Sequence, residues 1–97
     1  MAIKVIVELQ AKPGRRDELK GLVEELAASQ GSGQGGYLGS TFFEVLDNPD
    51  MLIDIADWES AEARIAHLEK TMAAGAYAPV LEMLAAPFRA TVIRHLP

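Results

Sequence analysis

Gly36-Tyr37-Leu38-Gly39-Ser40-Thr41-Phe42-Phe43-Glu44, then Asp47-Asn48-Pro49-Asp50, then Met51 to Trp58 is the stretch that decides the fold. Tyr37 to Leu46 and Met51 to Trp58 read as two strands, rich in β-branched and aromatic residues, around an Asp-Asn-Pro-Asp hairpin turn. Ser60 directly after Trp58 is a good N-cap, and Glu62 suits the first turn of a following helix. Ala61, Ile65, Leu68 and Met72 form the apolar stripe expected of that helix. At roughly 100° per residue His67 falls off the centre of the stripe, beside Arg64 and Thr71.

Toward the N-terminus, Ile3, Val5, Val7 and Leu9 alternate along a first strand that Lys12-Pro13-Gly14 brings to an end. Leu19, Leu22, Val23, Leu26 and Ala27 then recur at helical spacing, with Asp17 and Glu18 placed at the positive end of the helix dipole. Gly31 to Gly36 has neither the preceding strand nor the Gly-Lys-Ser/Thr ending of a phosphate cradle, so a flexible helix-to-strand loop is expected there. Toward the C-terminus, Gly75 interrupts the helix. Tyr77 to Leu84 reads as a short further helix with Pro79 near its start, and Phe88 to Arg94 as the last strand.

The order β-α-β-β-α-(α)-β defines an α+β, ferredoxin-like protomer: a four-stranded antiparallel sheet with its helices on one face. The other sheet face would hold apolar side chains such as Phe42 or Phe43 and Ile53 or Ile55. A small domain with such a face calls for a partner, and a homodimer is the simplest one.

The chain has 97 residues, which suits a single domain over 1–97. A formal net charge of −5 argues against nucleic acid, which needs clustered Lys and Arg. The chain has no cysteine, which removes disulfides, thiolate nucleophiles and Cys-ligated metal sites together. The apolar run Ile3 to Leu9, broken by Lys4 and Glu8, is too short for a signal sequence or a membrane span. A cytoplasmic protein without membrane contact is expected.

Ala11-Lys12-Pro13-Gly14 with Asp17-Glu18-Leu19, Gly36-Tyr37-Leu38-Gly39, Asp47-Asn48-Pro49, Trp58-Glu59-Ser60, Glu62-Ala63 and Ala66-His67-Leu68 follow one another along nearly the whole chain. In this order and spacing they resemble the antibiotic biosynthesis monooxygenase domain family, which includes small quinol-monooxygenase-like proteins. The resemblance implies a dimeric α/β barrel with a pocket between sheet and helices in each subunit. It also implies oxygenation of a small quinol or polycyclic phenol by O2, with no cofactor: no flavin, haem or metal. A non-catalytic small-ligand-binding or stress-response dimer on the same fold is the alternative. The haem-degrading branch carries a helical tryptophan where this chain has His67 and a haem-ligating histidine where it has Tyr77, so it is disfavoured.

Under this resemblance His67 is the catalytic candidate, as the base that makes an oxidisable anion or as the substrate's anchor, because histidine titrates near neutrality. Trp58 and Tyr77 are expected to line an apolar, aromatic-binding pocket. Arg64 would stabilise a substrate anion, or pair with Glu62 or Glu69. Tyr37 is expected to serve in packing, and His95 to be peripheral. Asp54 and Asp57 have opposite parity on one strand and do not form an acid/base pair. No His/Glu set has metal-ligand spacing.

Overall fold

The structure, a computed structural model, describes residues 2–30 and 34–97. Its elements are β1 (Ile3–Gln10), α1 (Arg16–Gln30), β2 (Tyr37–Val45), β3 (Asn48–Trp58), α2 (Ala61–Ala73), α3 (Ala78–Glu82) and β4 (Arg89–Ile93). The strands form one antiparallel sheet in the order β2-β3-β1-β4. This is the expected ferredoxin-like arrangement. Among the described residues no helix is long and apolar enough to cross a membrane.

The register fixes which side chains share a face. Val5 lies opposite Ala56 and Val92, and Val7 opposite Asp54 and Ala90. Odd positions of β1, even positions of β3 and β4, and Ser40 and Phe42 of β2 therefore face the helices. Ile6, Phe43, Ile53, Ile55 and Ile93 occupy the opposite face, which no helix among the described residues covers. Phe43 remains 48% exposed there. Of the pairs left open by the sequence, the outward members are Phe43 and both isoleucines.

Two expectations of local structure are corrected. The hairpin turn is Leu46-Asp47, and Asn48, Pro49 and Asp50 belong to β3. A register irregularity after Glu44, where Val45 pairs with Asn48 and Glu44 with Leu52, accommodates Pro49, which has no N–H to give a ladder. Asp50 instead braces a different turn, the one between β1 and α1, where its Oδ1 accepts from the Gly14 N–H at 3.0 Å. The second correction concerns α2. Ile65 and Met72 of its expected stripe are 51% and 64% exposed, while Thr71 is buried.

The rotation of α2 has an identifiable cause at its N-terminus. Ser60 Oγ accepts from the Ala63 N–H at 3.1 Å, and the Glu59 N–H donates to the Gly36 carbonyl at 2.8 Å. Gly36 has φ of 84°, and a Cβ there would stand 2.6 Å from Cβ of Ala63. The single 3₁₀ turn Gln34–Gly36 thus clamps the first turn of α2 at a distance only glycine permits. The expected flexible loop is described only from Gln34 onward; residues 31–33 lie outside the described residues.

Two apolar clusters make up the core. Ile3, Val5, Tyr37, Ala56 and Trp58 form one, and Leu9, Ala11, Leu19, Leu52 and Val80 the other. Val7 packs against both.

Candidate functional site

A cavity of about 140 Å³ lies between the helices and the inner face of the sheet, bounded by members of both core clusters. Its floor is Val5, Val7 and Leu9 of β1 with Asp54, Ala56 and Trp58 of β3. α1 supplies Val23, Leu26 and Ala27, and α2 supplies Arg64, His67 and Leu68. Tyr77 and Val80 close one side, and the exposed Leu81, Phe88 and Ala90 stand at the rim.

The cavity brings together all four expected site residues: His67, Trp58, Tyr77 and Arg64. Residues 64, 67, 68 and 71 are spaced as one helical face, and the clamp at Gly36 turns this face inward. The polar face that seemed displaced from the apolar stripe is the one that looks onto the sheet. The His67 ring is tilted against Trp58, with centroids 5.3 Å apart, and Trp58 against Tyr37, at 5.2 Å. His67 Nε2 is buried and has no hydrogen-bond partner among the described residues. A Cβ on Gly35 would stand 3.6 Å from Nδ1 of the same ring.

Arg64 forms no ion pair with Glu62 or Glu69 among the described residues. Its charge is felt inside the cavity, where it partly offsets the burial that pushes the Tyr77 hydroxyl upward in pKa. Tyr37 does more than pack: its hydroxyl and Ser40 Oγ are 2.5 Å apart. Burial also pushes the Tyr37 hydroxyl up, with the Ser40 hydrogen bond opposing. His95 lies in the exposed segment after β4, away from the cavity.

The residue not anticipated is Asp54. It and Asp57 do point to opposite faces, so they are no pair; Asp57 binds Lys4 across the outer face. Asp54 alone stands on the inner face, flanked in the sheet by Val7 and Phe42. Burial raises its carboxyl to about pH 6 in pKa, against a smaller lowering by a side-chain hydrogen bond with Ser40. Its Oδ1 has no partner among the described residues. The signal was present in the sequence, since Asp54 shares the parity of Leu52, Ala56 and Trp58. A lone carboxylate among inward positions calls for a reason.

Fold and site together define a small ferredoxin-like protein with an aromatic-walled cavity holding a carboxyl, an imidazole and two phenols. The family model for antibiotic biosynthesis monooxygenases matches residues 2–78, and the chain belongs to that family. Among solved structures, a Chloroflexus aurantiacus protein named for this family is 25% identical, with a TM-score of 0.74 over 100% of this chain and 97% of that one. A Caulobacter crescentus protein named for the same family shares the fold at a TM-score of 0.82 and 17% identity, over 99% and 91% of the two chains. SnoaB of Streptomyces nogalater, described as a cofactor-independent oxygenase, is 14% identical with a TM-score of 0.80 over 97% and 92%. No curated protein matches the chain.

Proposed function

We propose that this protein is a cofactor-independent monooxygenase that oxidises a small quinol or polycyclic phenol with O2. The observation that carries this reading is the cavity itself, with its apolar walls and two buried polar atoms, His67 Nε2 and Asp54 Oδ1, that have no partner among the described residues. Family membership and the likeness to SnoaB support it. His67 acts as base or substrate anchor, Trp58 and Tyr77 hold the aromatic rings, and Arg64 supplies positive charge for the substrate anion. Removing a phenolic proton leaves an electron-rich anion able to reduce O2, and the apolar, aromatic surroundings hold both reactants together. For a naphthoquinol the balance is quinol plus O2 giving hydroxyquinone plus water. The ring supplies all four electrons, one oxygen atom is retained and the other leaves as water.

A homodimer completes the reading. The uncovered sheet face presents Ile6, Phe43, Ile53, Ile55 and Ile93, with the Lys4–Asp57 and Glu8–Arg89 ion pairs on the same face. An apolar centre with charged residues beside it is the pattern of an interface between copies. Oxygen uptake with reduced naphthoquinone, compared between wild type and His67→Ala at equal oligomer content, tests the activity. Turnover above autoxidation that falls at least about 100-fold in the variant is expected. Uptake equal to autoxidation across quinol and phenol substrates, with stoichiometric ligand binding, would instead support a non-catalytic binding protein.

A further inference from the structure

Asp54 is a costly residue to keep on this face. Its sheet neighbours are Val7 and Phe42, and α1 opposes it with apolar Val23, Leu26 and Ala27. Its ionisable or charged neighbours in the cavity are Tyr37 from β2, Arg64 and His67 from α2, and Tyr77 before α3. Packing alone is served better by an apolar side chain, which would leave no orphaned oxygen.

The surroundings of the carboxyl show what it is prepared to do. Ser40 shares its inner face and is hydrogen-bonded to the Tyr37 hydroxyl, 2.5 Å away. Ser40 favours the ionised carboxylate, against the larger opposing effect of burial. Asp54 Oδ1 is buried and has no hydrogen-bond partner among the described residues. One acceptor position therefore stands unpaired in an aromatic-walled cavity.

We propose that Asp54 Oδ1 is the acceptor for a phenolic hydroxyl of the ligand, so that this pocket selects aromatic molecules that present an O–H donor. The ligand enters with one ring inside. A dry protein cavity of about 150 Å³ holds a benzene-sized molecule, close to the 140 Å³ found here. Any further ring lies at the rim between Leu81 and Phe88. The turnover part of the inference rests on the oxygenase reading. There the O–H bond of the substrate breaks, the proton bonds to Oδ1, and the electron pair stays on the ring oxygen for transfer to O2. His67 is then the anchor and Asp54 the base.

The experiment measures binding of 1-naphthol and of 1-methoxynaphthalene, its methyl ether without a donor, to wild type and Asp54→Asn from pH 5 to 8. Wild type is expected to prefer naphthol by about tenfold or more at pH 8, with the preference shrinking below pH about 6 as the carboxyl protonates. Asp54→Asn is expected to bind the ether as wild type does and to lose most of the naphthol preference at every pH. A pH step that persists in the Asn variant would overturn the assignment in favour of His67. Equal binding of the two ligands by wild type, or binding of neither, would overturn it too. If Asp54→Asn folds poorly, the same pH series on His67→Gln decides: a shrinking preference that survives this change supports Asp54, and one that vanishes with it overturns the assignment. A preserved donor preference without oxygen uptake would sink the oxygenase reading and leave the Asp54 assignment standing.

Discussion

Asp54 sets a measurable conflict between stability and function. Its pKa rises from 3.8 to about 6 on folding, so the folded chain holds this proton more tightly than the unfolded one. Its favourable contribution is complete below pH about 4 and is lost as pH rises through 6. The shift corresponds to roughly 2–3 kcal/mol. Asp54→Asn should therefore raise the melting temperature relative to wild type by several degrees at pH 8, with the gain shrinking toward pH 4. An equal difference at both pH values would show that the carboxyl is solvated in the folded chain. At this scale the site was half legible. His67, Trp58, Tyr77 and Arg64 were identifiable as residue types that bind and deprotonate aromatic ligands, and the family pattern located them. Asp54 is less legible, because its parity rules out only a pair with Asp57, and a single inward carboxylate needs no partner on its own strand.

Among the elements, α2 departs furthest from its periodicity. Two stripes one residue apart share Leu68, and apolar content alone favours the one with Ile65 and Met72. Burial area is not what decides, because the helix covers a cavity and the Gly36–Ala63 contact fixes its rotation. Gly36→Ala should cost roughly 2 kcal/mol or more in urea denaturation, through both a left-handed backbone and a 2.6 Å overlap. Ile65→Ser and Met72→Ser should each change stability by less than about 0.5 kcal/mol. Leu19→Ala, at a fully buried position, should cost about 2–5 kcal/mol. A large loss at Ile65 would mean that this helix face is covered. The strands read more cleanly than the helix, since a period of two leaves only two candidate faces, and the register with β1 decides between them. The hairpin was misplaced because Asp-Asn-Pro-Asp has strong turn chemistry, while the register irregularity lets the same residues begin β3.

For the whole molecule, the order of elements was legible because each boundary carries a Pro, a Gly or a capping residue. The division of the core was not, since no periodicity signals an empty space between two clusters. The sheet face opposite the helices is where the proposed dimer is tested: Ile55→Lys places a charge among Ile6, Ile53 and Phe43. The variant should sediment as one chain where wild type sediments as two, and an unchanged mass would move the interface elsewhere. The central claim is that the cavity directs O2 onto a hydroxylated aromatic ring. Turnover of a reduced naphthoquinone under isotopically heavy dioxygen, read by product mass, tests it most directly. One labelled atom in the hydroxyquinone, with the other in water, is the expected result. Unlabelled quinone with peroxide as the by-product would mean simple oxidation, and would contradict the account.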